Sequence, residues 1–392
     1  MILESFWILV LLNNHYMNLL FYFENEIIPL LGGTERATEN LAIALSREGH
    51  NIFYLSRNNT GAKTSFPNFY LPSDSVDYKT YIENLLSKIS IDIIFNQAGN
   101  TDACTFINHK YLTTRAKIIT CLHFCPYQGY DKIFSDIHFF SVKDVIRMFK
   151  SPYTKKKVMR LFKHYYNMAL QYTDAFVVLS DSFKCDIKEI VGTNKIENKL
   201  FAIPNINSFE KSSTSINKEN SVLYIGRLQY QTKRVDRLLD AWRYIDNDGY
   251  KLDILGDGPE RWYYEKYARK LRLRNVSFHG FVDPCPFYKN AKVVTLTSTH
   301  ESFGMTLIEG MSYGCVPVVY NTYSAVKDIV ANGINGFLVE PYNSQLFSNK
   351  IKMLLDNKVI YDNMERNCRE YVDRYSPLVV VNQWNKLIKT ML

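Results

Sequence analysis

"KVVTLTSTHESFGMTLIEGMSYGCVPVVY", residues 292–320, holds three kinds of local order in succession. VVTLTST is apolar and β-branched, as a buried strand requires. HESFG is a short polar turn ending in glycine. MTLIEGMSY has helical spacing and closes at Gly314, before a second apolar run, CVPVVY. Strand, turn, helix, strand is the repeating unit of a parallel sheet covered by helices. Ligands of such sheets sit beyond the carboxyl ends of the strands, so the loop carrying Glu301 and the helix carrying Glu309 are the first place to look for a site.

The same alternation extends both ways. SVLYIG, a helix KRVDRLLDAWRYI, KLDILG, a helix ERWYYEKYARKLRL and VSFHG precede the stretch, and GFLVE follows it. In the other half, the strand after Met17 meets Gly32-Gly33 and the helical run TERATENLAIAL, then NIFYLS; IDIIFNQ, KIITCLHF, AFVVLS and FAIPN continue the series. Between the halves NSFEKSSTSINKEN, residues 207–220, lacks apolar periodicity and reads as a linker. The expected organisation is α/β, with two Rossmann-like domains facing a central cleft. They span 1–206 and 221–375, with a closing helix at 376–392 packing back on the first domain. Residues 1–16 read as an upstream extension.

With 392 residues, 46% hydrophobic and 22% charged, the chain is long enough for two cores. Seven cysteines show no paired spacing, which suits reduced thiols in a cytoplasm rather than a disulfide framework. The apolar opening FWILVLL is about half of a bilayer span and lacks a basic leader, so neither a transmembrane helix nor a signal peptide is expected. Of the net charge of +8, most is local. Lys143, Arg147, Lys150, Lys155, Lys156, Lys157, Arg160 and Lys163 face one acid, Asp144. Here Val158, Leu161, Phe162, Tyr165 and Ala169 share a helical stripe. Such a helix rests on anionic lipid across 143–165, or packs its stripe on the core and leaves its lysines solvated. Nucleic acid is not expected, because the charge is confined and no binding motif accompanies it.

Four loops after strands carry unusual residues. Gly33 precedes a helix start whose free N–H groups attract anions, although glycine there is also simply a turn. Arg227 leaves the strand YIG and Lys233 follows at or near the next helix start; two cations there suit a diphosphate, or a solvated basic face. Glu301 and Glu309 suit sugar hydroxyls, and the Gly304, Met305 and Thr306 amides suit phosphate oxygens; capping and surface roles are the plainer alternative. His123 ends a strand with Cys121 and Cys125 on its face, open to a hydrogen-bonding, core or zinc reading, although no second Cys/His cluster appears. Asp246–Asp248 mimics a metal-binding DxD but falls at the amino edge of the sheet and reads as a turn.

These residues resemble a known family, the retaining glycosyltransferases of family 4 with the GT-B fold. LGGTERATENLAIALSREGH is similar to its amino-terminal glycine motif. IPN at 203–205, YIGRL at 224–228, GDGP at 256–259 and the E-x7-E pattern of ESFGMTLIE complete the likeness. The resemblance implies that Arg227 and Lys233, with the backbone of Gly33 and Gly304–Thr306, bind the donor diphosphate. It implies that Glu301, Ser302, Phe303 and Gly304 hold the transferred sugar, that Glu309 accepts from the ribose, and that Phe281 and Val282 border the base. His123 and Glu301 would be the catalytic pair, with no metal or cofactor. The implied activity is a hexosyl transfer from a nucleotide-sugar to a saccharide or lipid-linked acceptor, for cell-surface polysaccharide or glycolipid synthesis, in the cytoplasm or at the inner membrane face. A sugar-nucleotide epimerase of similar architecture and a non-catalytic sugar-nucleotide-binding protein are the rivals. A nicotinamide dehydrogenase is disfavoured, since no GxGxxG with a following acid occurs in the first unit.

Overall fold

The computed structural model describes residues 16–30, 32–72, 78–99, 115–127, 142–192, 196–209, 218–245 and 249–391, with the backbone alone over 142–154. The opening 1–15, the middle of the expected linker (210–217) and the Asp246–Asp248 turn lie outside the described residues.

In the first domain β1 (Asn18–Phe23), β2 (Asn51–Ser56), β3 (Asn68–Tyr70), β4 (Ile93–Asn96), β5 (Lys117–Leu122), β6 (Ala175–Val178) and β7 (Leu200–Ala202) form one parallel sheet in the order β3-β2-β1-β4-β5-β6-β7. The helices are α1 (Gly33–Arg47), α2 (Tyr78–Lys88), α3 (Val142–Gln171) and α4 (Asp181–Val191). In the second, β8 (Glu219–Ile225), β9 (Lys251–Leu255), β10 (Val276–Gly280), β11 (Ala291–Leu296), β12 (Val316–Tyr320) and β13 (Phe337–Val339) are ordered β10-β9-β8-β11-β12-β13. Its helices are α5 (Tyr230–Lys233), α6 (Val235–Trp242), α7 (Arg261–Lys270), α8 (Cys285–Asn290), α9 (Met305–Ser312), α10 (Val326–Ile329), α11 (Ser344–Asp356), α12 (Lys358–Tyr371) and α13 (Pro377–Met391). This is the doubly wound α/β pair that the alternation predicts.

The strands are apolar throughout because both faces of each sheet are covered. In β1, Leu19 and Phe21 join the cluster under α1, whereas Leu20 and Tyr22 join the cluster under α2. Strand order reverses between β1 and β4 in one sheet and between β8 and β11 in the other. Reversal splays the following loops apart and leaves a crevice at the carboxyl ends. The loops after β1, β8 and β11 are those the sequence singled out.

Two glycine positions follow from close packing. A Cβ on Gly256 would lie 2.0 Å from the Gly226 carbonyl oxygen, and one on Gly258 would lie 2.3 Å from that of Leu228. The GDGP loop therefore seats itself directly on the loop after β8, an approach open only to residues without a side chain.

The sequence's amphipathic stripe on α3 is displaced by one position. Phe162 and Ala169 do pack inward, but Tyr166 and Leu170 are buried while Leu161 is 47% exposed. Both tyrosines of the pair 165–166 fit a helical period. Tyr166 turns inward, where its hydroxyl donates to the Pro126 carbonyl at 2.9 Å and its ring meets Phe176 edge-on; a buried tyrosine needs such a partner.

At the other end of the chain, α13 lies against α1, and its buried Trp384 meets Phe95 of β4 with ring centroids 5.5 Å apart. Trp384→Ala is expected to destabilise the first domain by about 3–5 kcal/mol through the cavity it leaves. The readout is a lowered urea midpoint by circular dichroism; an unmoved midpoint would show that docking of this helix adds nothing.

Candidate active site

A cavity of about 260 Å³ opens where the two domains meet. The first domain contributes Gly33, Thr34, Arg36, His123 and Asn205 to its wall. The second contributes Ile225, Gly226, Lys233 and the run from Glu301 to Thr306. An added Cβ at Gly33 would meet nothing within 4 Å, so this glycine borders open space and is not demanded by packing.

Lys233 reaches the cavity through a break in the helix that the sequence reads as continuous from 233. It ends α5, and Arg234 takes a left-handed backbone (φ 48°) before α6 begins. Such a conformation is unfavourable for a side-chain-bearing residue. Here it is held by a forked pairing of Arg234 with Asp236, at 3.0 and 2.7 Å, and by the guanidinium lying 4.6 Å over the Tyr230 ring. The hydroxyl-rich TST after β11 ties this kink to the opposite loop. The Thr299 N–H donates to Thr232 O at 2.8 Å, and the Thr297 hydroxyl donates to Lys233 O at 3.3 Å.

Across the loop, Lys233 Nζ lies 2.6 Å from Glu301 Oε1, and the Ser298 hydroxyl donates to the same oxygen at 2.6 Å. Gly304 caps α9 in a left-handed conformation (φ 97°), pressed against the Tyr323 hydroxyl, so that the amides of α9 begin at the cavity wall. Five residues on from Gly304, Glu309 is almost fully buried, with both oxygens engaged. Oε1 lies 2.5 Å from Arg36 Nη2, and Oε2 accepts from the Tyr288 hydroxyl at 2.9 Å. Burial pushes the Glu309 carboxyl above the ordinary range, and Arg36 and Tyr288 pull it back down.

His123 is buried, with Nε2 at 2.5 Å from Gln97 Oε1 and no partner on Nδ1 among the described residues. Desolvation lowers its pKa to about 4, so the imidazole is neutral at pH 7. Gln97 also donates to Cys121 Sγ at 3.6 Å, and so stands between the thiol and the ring. Among the described residues no group of three or more His, Cys, Asp or Glu is placed to hold a metal ion.

The sequence-predicted residues thus divide. Gly33, His123, Lys233, Glu301, Ser302, Phe303, Gly304, Met305 and Thr306 line one cavity, and Glu309 touches it through Arg36. Phe303 presents backbone only, because its ring is buried edge-on against Tyr375. Arg227 is exposed, beside the lining residue Gly226 but outside the lining itself. Phe281 (78% exposed) and Val282 (41%) stand in solvent beyond it. Sequence reasoning missed Arg36 and Tyr288. Arg36 sits within a turn of Gly33, a weak signal; a tyrosine 21 residues from its carboxylate leaves none.

Two parallel-sheet domains meeting at a crevice are the architecture of the GT-B fold. Residues 205–374 match the family model of glycosyl transferases group 1. It is 27% identical over 175 residues to the amylovoran biosynthesis glycosyltransferase AmsD of Erwinia amylovora; the match covers 44% of this chain and 48% of the relative. The chain therefore spans about half the length of that relative. A Campylobacter jejuni α-1,4-N-acetyl-D-galactosaminyltransferase, named for an undecaprenol-diphosphate-linked saccharide, is 27% identical over 244 residues, covering 60% of this chain and 65% of its own. Among solved structures, Anabaena HepE in complex with UDP-glucose superposes with a TM-score of 0.70 at 18% identity, over 96% of this chain and 100% of that one. At that identity the likeness concerns the fold.

The neutral His123 has a measurable consequence. An unfolded imidazole takes up its proton near pH 6.5, the folded one only near pH 4. The stability this residue contributes is therefore complete above pH 6.5 and is lost as pH falls towards 4. Between pH 7 and 4 the wild type is expected to lose about 3 kcal/mol more than His123→Gln, read from urea unfolding at stepped pH. Parallel curves would show that the ring protonates freely in the folded chain.

Proposed function

We propose that the chain is a retaining hexosyltransferase that moves a sugar from a nucleoside diphosphate donor to a saccharide or lipid-linked acceptor, in the synthesis of a cell-surface polysaccharide or glycolipid. The observation that carries this reading is the cavity itself. Gly33 and His123 from one sheet and Lys233, Glu301 and Gly304–Thr306 from the other line the same 260 Å³. The biosynthetic name of the Erwinia relative and the lipid-linked name of the Campylobacter relative support the acceptor class.

In this reading the donor's C1–O bond to the diphosphate breaks, and charge grows on the leaving phosphate. Lys233, Arg227 and the amides of Gly33 and Gly304–Thr306 meet that charge without a metal. Glu301 with Ser302 and the Phe303 and Gly304 backbone holds hydroxyls of the transferred sugar, Glu309 accepts from the ribose, and the exposed Phe281 and Val282 border the base. Neutral His123 sits over the sugar as a hydrogen-bonding group. Among the described residues lining the cavity, Glu301 is the one carboxylate, and Lys233 and Ser298 hold its Oε1. A double displacement through a second carboxylate therefore has no support from the lining. The acceptor oxygen attacks C1 on the face the diphosphate leaves, and its proton passes to the leaving phosphate.

The same reading sets the chain in the cytoplasm, at the inner face of the membrane. No described helix is long and apolar enough to cross a bilayer. On α3, Lys155, Lys156, Lys157, Arg160 and Lys163 are exposed around an exposed Leu161, while the opposite side is docked on the core. A cationic face with a protruding leucine suits anionic headgroups.

Calorimetric titration with UDP, GDP and ADP is expected to detect binding of at least one. For that diphosphate, Lys233→Ala weakens binding by about tenfold or more, whereas Glu301→Ala leaves binding undiminished and cuts turnover with the corresponding donor by roughly a hundredfold or more. Equal loss of both in Glu301→Ala would remove it from the sugar-holding role. For the basic face, the triple variant Lys155→Gln, Lys156→Gln and Lys157→Gln is expected to bind phosphatidylglycerol vesicles about a hundredfold more weakly at low salt. Equal flotation of wild type and variant would place those lysines in solvent only.

A further inference from the structure

Two ion pairs stand at the cavity; the first joins groups that the proposed function gives to the diphosphate and the sugar, and the second joins the carboxylate it gives to the ribose with Arg36. Lys233 is bound to Glu301 at 2.6 Å, and Arg36 is bound to Glu309 at 2.5 Å. Arg36 belongs to none of the functional assignments above.

Three observations single it out. It comes from α1 of the first domain and crosses to a carboxylate of the second. It lines the cavity together with Lys233 and the α9 amides, whereas Arg227 stands outside the lining. It also occupies an oxygen that a ribose hydroxyl would need. Of the two groups on Glu309, the Tyr288 hydroxyl is locked in the core, its side chain fully buried and stacked on Tyr313. The Arg36 side chain is 37% exposed and is the partner free to move.

We propose that Arg36 is a donor-diphosphate ligand held in reserve. It neutralises Glu309 in the donor-free protein and passes to a phosphate oxygen when the donor binds, as a ribose hydroxyl takes its place on Glu309. This rests on the functional reading above. The exchange conserves partners. Two cations leave two carboxylates for the charges of one diphosphate, and hydroxyl donors take their places, so each carboxylate keeps hydrogen-bond partners. A guanidinium suits the task because its N–H groups can fork onto a phosphate. A lysine in the same place would present a single charged point. Because Arg36 belongs to the first domain, the exchange makes the diphosphate a bridge between the domains. Two other contacts between the domains, the Ser182 N–H to Asp328 Oδ2 at 2.9 Å and the Ser324 hydroxyl to Asp186 Oδ2 at 2.5 Å, need no ligand.

The test compares wild type, Arg36→Gln and Arg36→Lys by isothermal titration with UDP, GDP and ADP and with the matching nucleosides uridine, guanosine and adenosine, after circular dichroism shows each variant folded. For the diphosphate that wild type binds, Arg36→Gln is expected to raise Kd about tenfold or more, with Arg36→Lys between the two. Binding of the matching nucleoside is expected to be equal or tighter in Arg36→Gln, because Glu309 has lost its competitor. Unchanged diphosphate affinity would overturn the proposal and leave Arg36 as a clasp between domains. Equal weakening of nucleoside and diphosphate would overturn it too, by showing that Arg36 acts only through the posture of Glu309. If Arg36→Gln does not fold, an Arg36→Lys affinity equal to wild type for both ligands overturns the forked contact. If wild type binds none of the three diphosphates, the functional reading fails and this proposal fails with it, an outcome distinct from those in which wild type binds.

Discussion

The bond between Lys233 and Glu301 joins the loop after β8 to the loop after β11, and much of the surrounding architecture is what that bond requires. Neither group is well solvated: their side chains are 25% and 10% exposed. An unpaired charge at that depth is costly, so each needs a partner fixed in place. The left-handed turn at Arg234 aims Lys233 inward, the hydroxyls of Thr297 and Thr299 tie the two loops together, and Ser298 fixes Glu301 within its own loop. The second ion pair, Arg36 with Glu309, repeats the arrangement between domains instead of between loops. A cavity lined in this way is electrically balanced before any ligand arrives.

The parts of this arrangement that were legible in the sequence are those that depend on local order. The strands declare themselves because parallel sheets buried on both faces need unbroken apolar runs, and Leu19, Leu20, Phe21 and Tyr22 supply four in a row. Gly304, Gly256 and Gly258 declare themselves because turns and close backbone approaches exclude a Cβ. Glu301 and Lys233 could be singled out because each lies in a loop after a strand, where the topology of the fold concentrates ligands.

What could not be read depends on contacts between distant segments. The side of α3 that packs inward is decided by a carbonyl at Pro126 within reach of Tyr166, and nothing within the helix distinguishes that residue from Tyr165. The break at Arg234 has no glycine or proline to announce it; it rests on a fork to Asp236 and a stacked Tyr230. Arg36 meets Glu309 across 273 residues of chain, so its partner follows from how the two domains face each other and from no local pattern. Phe303 sits in a motif that points to a ligand, but its ring is drawn into the core by Tyr375. A motif names the residues near a ligand; packing decides which of them offer side chains.

The two domains also differ in the kind of surface they bring to the cavity. From the second come the charges Lys233 and Glu301, with Glu309 behind them; from the first come Gly33, Thr34, Asn205 and a histidine kept neutral by burial. A neutral wall is suited to a polyhydroxylated sugar, since hydrogen bonds to hydroxyl groups need direction more than charge. A charged wall suits a diphosphate. Arg36 is the exception to this division, the one cation that the first domain contributes among the described lining residues, and it is spent on a carboxylate of the other side. That exception ties recognition to geometry. Among the described lining residues the rest of the first domain's wall carries no charge, so ion pairing across the cavity passes through Arg36.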